Sequence, residues 1–165
     1  MKSKQNFVIL GALLISLTGA AWGQLAVDNP DWKEIEVPPP PAFDVNKLVS
    51  FEVSRNAALV YGVDPAAIRI SSSDGVVRYV MVASSASGAT NVMYEGIRCA
   101  TGEFKTYARY SSDGRWRMVD NAEWRSLYSG APSRHALQFA KAGACDNAAP
   151  ASSVQDIVSR LKGTN

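Results

Sequence analysis

The sequence predicts an α+β domain: an antiparallel β-meander of about five to six strands, with C-terminal helices packed on one face and one disulfide. Three observations predict it. Short apolar runs between residues 67 and 119 are cut by Asp-Gly, Ser-Gly and Thr-Gly pairs, turns too short for the crossovers that parallel strands need. Val154, Ile157, Val158 and Leu161 fall at i, i+3, i+4 and i+7, the stripe of an amphipathic helix. Cys99 and Cys145 are the two cysteines of a 165-residue chain.

The N-terminus explains why those cysteines should pair. Lys2 and Lys4 precede an apolar run from Phe7 to Leu17, and small residues follow at Gly19, Ala20, Ala21 and Gly23. That order is the one a secretory signal peptide shows. Ala21 and Gly23 suit the two subsites before the cut, which places cleavage after Gly23, with Ala20 as a second option. A retained spanning helix needs roughly 20 apolar residues, and this run is little more than half that. Residues 1–23 are therefore read as a signal peptide, the location as periplasmic, and the mature chain as lacking a transmembrane segment. In an oxidising compartment an even cysteine count reads as a disulfide, Cys99 to Cys145.

Charge excludes little. The chain carries 17 Lys plus Arg against 15 Asp plus Glu, and loss of Lys2 and Lys4 leaves the mature chain formally neutral. Its distribution is uneven. Residues 24–47 read as an extended, acidic arm, because Asn29-Pro30 and the run Pro38 to Pro41 fix φ and remove backbone donors. Residues 48–165 read as the single α+β domain, with Lys105, Arg109, Arg115 and Arg117 concentrated in its middle.

The elements follow in order. Val49 to Val53 and Ala67 to Ser71 are the first two strands. Ser73-Asp74-Gly75 turns into a third, Val76 to Ser84, and Ser85 to Ala89 into a fourth, Thr90 to Cys99. Thr101-Gly102 leads to a fifth, Phe104 to Tyr110, and Ser112-Asp113-Gly114 to a sixth, Arg115 to Val119. Alternation puts Val77, Tyr79, Met81 and Ala83 on one face. In the fifth strand it puts Phe104, Thr106, Ala108 and Tyr110 opposite Lys105, Tyr107 and Arg109. One face should be core, the other solvated and basic. Ser133, after Pro132, can cap a helix to about Ala142, and Ser153 with Asp156 forms a capping box for the helix that Gly163 ends.

Known catalytic patterns are missing. His135 is the single histidine; with no nucleophile motif beside it, a surface or capping role is expected. There is no phosphate-binding or dinucleotide glycine loop and no cysteine pair at metal-ligand spacing, so no metal or cofactor is expected. Glu95 paired with Asp74 or Glu103 could form the two-carboxylate site of a glycosidase. Glu95 and Arg98 stand three apart, hence on opposite faces unless Gly96 makes a bulge.

The strings Ser73-Asp74-Gly75-Val76-Val77-Arg78-Tyr79, Tyr94-Glu95-Gly96-Ile97-Arg98-Cys99-Ala100-Thr101-Gly102-Glu103 and Asp113-Gly114-Arg115-Trp116 resemble the cryptic neisserial protein 1-like family of small exported Gram-negative proteins. The resemblance runs from about Trp32 to Leu161. It implies export and one domain, and no established activity. An aromatic residue is expected before the second cysteine, where this chain has Ala144.

These readings combine into an exported, non-enzymatic binding or envelope-associated module. Its contacts would be Arg78, Tyr94, Glu95, Arg98, Tyr107 and Arg109 on the polar sheet face, and its ligand an envelope component or an anionic polymer. The export signal argues against nucleic acid. The alternatives are a small envelope hydrolase with Glu95 as acid, and a structural partner that docks through the Pro-rich arm.

Overall fold

The protein's structure, a computed structural model, describes residues 29–130 and 134–163. The signal segment with its cut, and the Pro132-Ser133 cap, lie outside the described residues. What is described has the expected α+β class. Its strands are β1 (Val49–Phe51), β2 (Leu59–Val63), β3 (Arg69–Ile70), β4 (Val76–Ser85), β5 (Thr90–Arg98), β6 (Glu103–Tyr110), β7 (Trp116–Met118) and β8 (Arg125–Ser126). All pair antiparallel, in the order β1-β2-β4-β5-β6-β7. β3 shares the edge of β4, and β8 that of β6. The meander from β3 to β7 is the one the turns specify. β2 is additional: it enters between β1 and β4, and a Cβ at its Gly62 would press on the Leu48 Cβ at 3.1 Å.

The helical end closes over one face. α1 (His135–Phe139) runs on into a wide turn, Ala140–Ala144, where the Cys145 amide reaches back to the Ala140 carbonyl. A short hairpin, β9 (Cys145–Asp146) with β10 (Ala149–Pro150), leads to α2 (Val154–Gly163). Ser153 caps α2, its Oγ accepting the Asp156 amide at 3.1 Å. Ile157 and Leu161 are fully buried, so the stripe read from the sequence is the buried one. They join Val63, Val77, Tyr79, Met81, Ile97, Leu137 and Phe139 in the main core. Cys99 at the end of β5 is bonded to Cys145, with Cα atoms 5.7 Å apart. A bond closing 46 residues of chain stabilises by about 4 kcal/mol in the chain-entropy model.

The opposite face departs from expectation. It was expected to be solvated and basic; it is covered by residues 32–48. Val37, Phe43, Leu48 and Trp116 pack on a second cluster of Val80, Val82, Val92, Tyr94, Tyr107 and Ala108. The reason lies in sequence: beside Arg78, Tyr94 and Arg98, that face of β4 and β5 carries Val76, Val80, Val82 and Val92, too much apolar surface to leave in water.

Alternation also fails within β6, and a bulge is the cause. Tyr94 pairs with Ala108, yet Glu95 pairs with Thr106, so Tyr107 is an extra residue. Beyond it the parity reverses. Ala108 and Tyr110 face the arm, and Arg109 faces the helices, away from Lys105 and Tyr107. Gly96 makes room for this: a Cβ there would overlap the Tyr107 hydroxyl. The bulged residue lies in β6, not at Gly96, and Glu95 and Arg98 do face opposite ways.

Candidate functional site

Register sets out the helix-side face as rows. Tyr61 pairs with Ala83, and Ala83 with Asn91. Val63, Met81, Met93, Arg109 and Arg117 form the next row, Tyr79, Glu95 and Thr106 the third, and Val77, Ile97, Phe104 and Arg125 the fourth. α1 covers only part of these rows. What it leaves is a cleft of about 310 Å³ lined by Leu59, Tyr61, Ala83, Met93, Phe104 and Thr106, with His135 and Glu95 at its floor and Asn91, Arg109 and Arg125 at its rim.

The floor is polar but saturated. Glu95 is fully buried and accepts from the Thr106 hydroxyl at 3.0 Å, the Tyr79 hydroxyl at 3.0 Å and His135 Nε2 at 2.8 Å. Burial, reinforced by the Glu95 charge, pushes the Tyr79 phenol well above its ordinary value. His135 lies parallel to Tyr61 at 5.8 Å and edge-on to Phe104 at 6.3 Å. It was expected on the surface; it is buried, because the floor carboxylate takes its ring nitrogen. Nor do the acids converge as a glycosidase would need. Asp74 is held by Arg78 beneath the arm, and Glu103 lies against Arg98.

The rim is the reverse. Arg109 and Arg125 are exposed and have no carboxylate partner among the described residues. Arg109 stands directly opposite Arg117 across β6 and β7, a cross-strand pairing of like charges that destabilises a sheet. Arg117 shares Asp113 with Arg115, at 2.9 and 2.7 Å. The Arg125 guanidinium lies 4.8 Å over the Phe104 ring, at the mouth of the cleft.

The remaining residues named from the sequence are on the arm side. Arg78, 2% exposed, bonds Asp74 at 2.6 Å and Glu34 at 3.3 Å. Glu34 also accepts from Lys105 at 2.9 Å and from the Tyr107 hydroxyl at 2.5 Å. Asp74 further accepts the Ile35 amide, and its carbonyl takes the Trp32 indole at 2.9 Å. Burial acts to raise the Asp74 carboxyl, but hydrogen bonds from Arg78, Ser71 and Ile35 outweigh it and hold it at about 2. Burial and the Glu34 bond push the Tyr107 phenol upward. Burial raises that of Tyr94 too. Arg98 stacks 3.9 Å over Trp32. Thus Arg78, Tyr94, Arg98 and Tyr107 are gathered under the arm, while Glu95 and Arg109 meet at the cleft. Glu34, Tyr61, Thr106, Arg125 and His135 were missed. His135 alone carried a signal, as the one histidine beside the apolar Ala136 and Leu137.

Among the described residues no helix is long and apolar enough to cross a membrane, and no cluster of His, Cys, Asp and Glu is fit to hold a metal. The fold and site define a small disulfide-bonded α+β protein with a cationic cleft rim. A family model, that of the CNP1-like family, matches residues 27–162, and the chain belongs to that family. No curated protein and no solved structure matches the chain.

Proposed function

We propose that this protein is an exported, periplasmic binding module that holds an anionic ligand at the cleft rim formed by Arg109 and Arg125, with Arg117 beside Arg109. One observation carries the reading. Cations elsewhere on the sheet are paired with carboxylates or carbonyls, whereas Arg109 faces Arg117 across the strands and, like Arg125, has no acid beside it. A fold that places like charges opposite each other gives up stability there, and an anion returns it. The oxidised Cys99–Cys145 bond and the signal-like N-terminus support export.

Retention on immobilised heparin and on lipopolysaccharide tests the proposal. Wild-type protein should elute at a salt concentration well above that for Arg109→Ala/Arg117→Ala. A double variant with the same charge loss elsewhere, Lys33→Ala/Arg55→Ala, should elute with wild type. Equal elution of all three refutes the proposal.

A second reading, a small envelope hydrolase, is favoured by the Glu95–His135 contact. Glu95 is enclosed by three donors, so in that reading it would orient His135 instead of delivering a proton itself. Turnover of a cell-wall glycan by wild type but not by His135→Gln, at an unchanged melting temperature, would support it.

A further inference from the structure

Resting on the anionic reading, we infer that the ligand is a small amphiphilic anion: its apolar body enters the cleft and its charged group lies on Arg109 and Arg125. The walls are apolar, made of Leu59, Tyr61, Ala83, Met93 and Phe104. The floor adds little polarity, because the Glu95 carboxylate is turned to Tyr79, Thr106 and His135. A wholly hydrophilic anion would gain nothing from such walls; it would bind the arginines and leave the cleft wet. An alkyl chain or ring displaces that water onto matching surface.

Size narrows the class. A cleft of about 310 Å³ is at the lower end of the roughly 300–1,000 Å³ of small-molecule sites. It suits one chain or one ring and excludes the body of a two-chain lipid. Phe104 joins the two halves of the site. Its ring lines the cleft and carries the Arg125 guanidinium on its face, so a head group on Arg125 has its apolar tail directed along Phe104. The head group is a phosphate or a carboxylate, both of which arginine holds through paired N–H donors.

Calorimetry with inorganic phosphate, butyl phosphate, octyl phosphate, octanoate and neutral octyl glucoside tests this. Each fully buried methylene multiplies affinity about fourfold, so a half-open cleft should favour octyl over butyl phosphate by about tenfold or more. Tighter binding of octyl phosphate or of octanoate identifies the head group, and either supports the proposal. Filling the cleft with Ala83→Leu should remove most of the chain-length gain while heparin retention persists. Leu59→Asn, at the part-buried wall, should do the same if Ala83→Leu fails to fold. Equal affinity for butyl and octyl phosphate, with heparin retention intact, overturns the amphiphile and leaves the anionic surface standing. Octyl glucoside binding as tightly as octyl phosphate also overturns it. If none of the anions binds and heparin does not retain the protein, both readings fail together.

Discussion

The two faces of the sheet use the same residue types to opposite ends. On the arm side, register sets Arg69, Arg78, Gly96 and Lys105 in one row. Each cation there is closed: Arg69 on the Ala66 and Ile68 carbonyls, Arg78 on Asp74 and Glu34, Lys105 on Glu34. On the helix side Arg109 and Arg117 also share a row, and no strap brings an acid to Arg109. Buried charge must be paired because water is gone; exposed charge is under no such demand. The arm decides which row is which. Where it lies, positive charge holds the fold together; where it is absent, positive charge is available to something else.

The sharpest way to break this contrast is at Arg78. Arg78→Met keeps most of the volume but leaves Asp74 and Glu34 without their buried cation. Stability should fall by about 3–5 kcal/mol, read as a lower urea midpoint. A loss no larger than that of a surface substitution would mean that the arm network is ornamental and that both faces are alike.

Acid titration is the next largest effect. The Asp74 carboxyl sits at about 2, below its ordinary 3.8. A lowered carboxyl contributes stability that is complete above pH 3.8 and is lost as pH falls from there through 2. The shift corresponds to about 2 kcal/mol. Asp74→Asn should therefore flatten the stability profile between those pH values. Asp113 is also held at about 2, first by Ser111 and then by Arg115, but at the surface. High salt should weaken its share of the acid limb and spare that of Asp74. If salt removed both equally, the arm would not shield its network from solvent.

The same contrast governs what the sequence revealed. β4, β5 and β6 were legible because glycine turns at Asp74-Gly75, Ser87-Gly88, Thr101-Gly102 and Asp113-Gly114 bound each run, and α2 because burial on one face writes period 3.6 directly into residue choice. β2 was not, since Leu59 to Val63 follows no hairpin turn and contains Gly62, a strand weakener that lies tight against Leu48. The arm was read as extended from its prolines. That it covers the sheet could have been inferred from Val76, Val80, Val82 and Val92, which are apolar on the face assigned to water. The Tyr107 bulge has no local signature; it appears only when Gly96 is known to lie beneath that ring. One displaced residue then moved Arg109 to the other face, where Glu95 already stood by plain alternation in β5. Glu34 was illegible for a related reason, since an acid in a Pro-rich arm becomes a hub only when three donors arrive from strands over 40 residues away.

The smallest expected effect has the opposite sign to the first. Arg109→Thr removes one of two like charges facing each other and supplies a residue suited to a strand. Stability should rise by about 0.2–1 kcal/mol, while heparin retention falls. Gain in one and loss in the other is the mark of a side chain kept for recognition at the expense of the fold. Thermal and urea midpoints measured beside the salt of elution distinguish this from a packing role. Should Arg109→Thr destabilise instead, the arginine stem would be covering Met93 and the neighbouring core, and the charge at its tip would be incidental to a structural post. The helix side would then be built on the same logic as the arm side, with its cations serving the fold first.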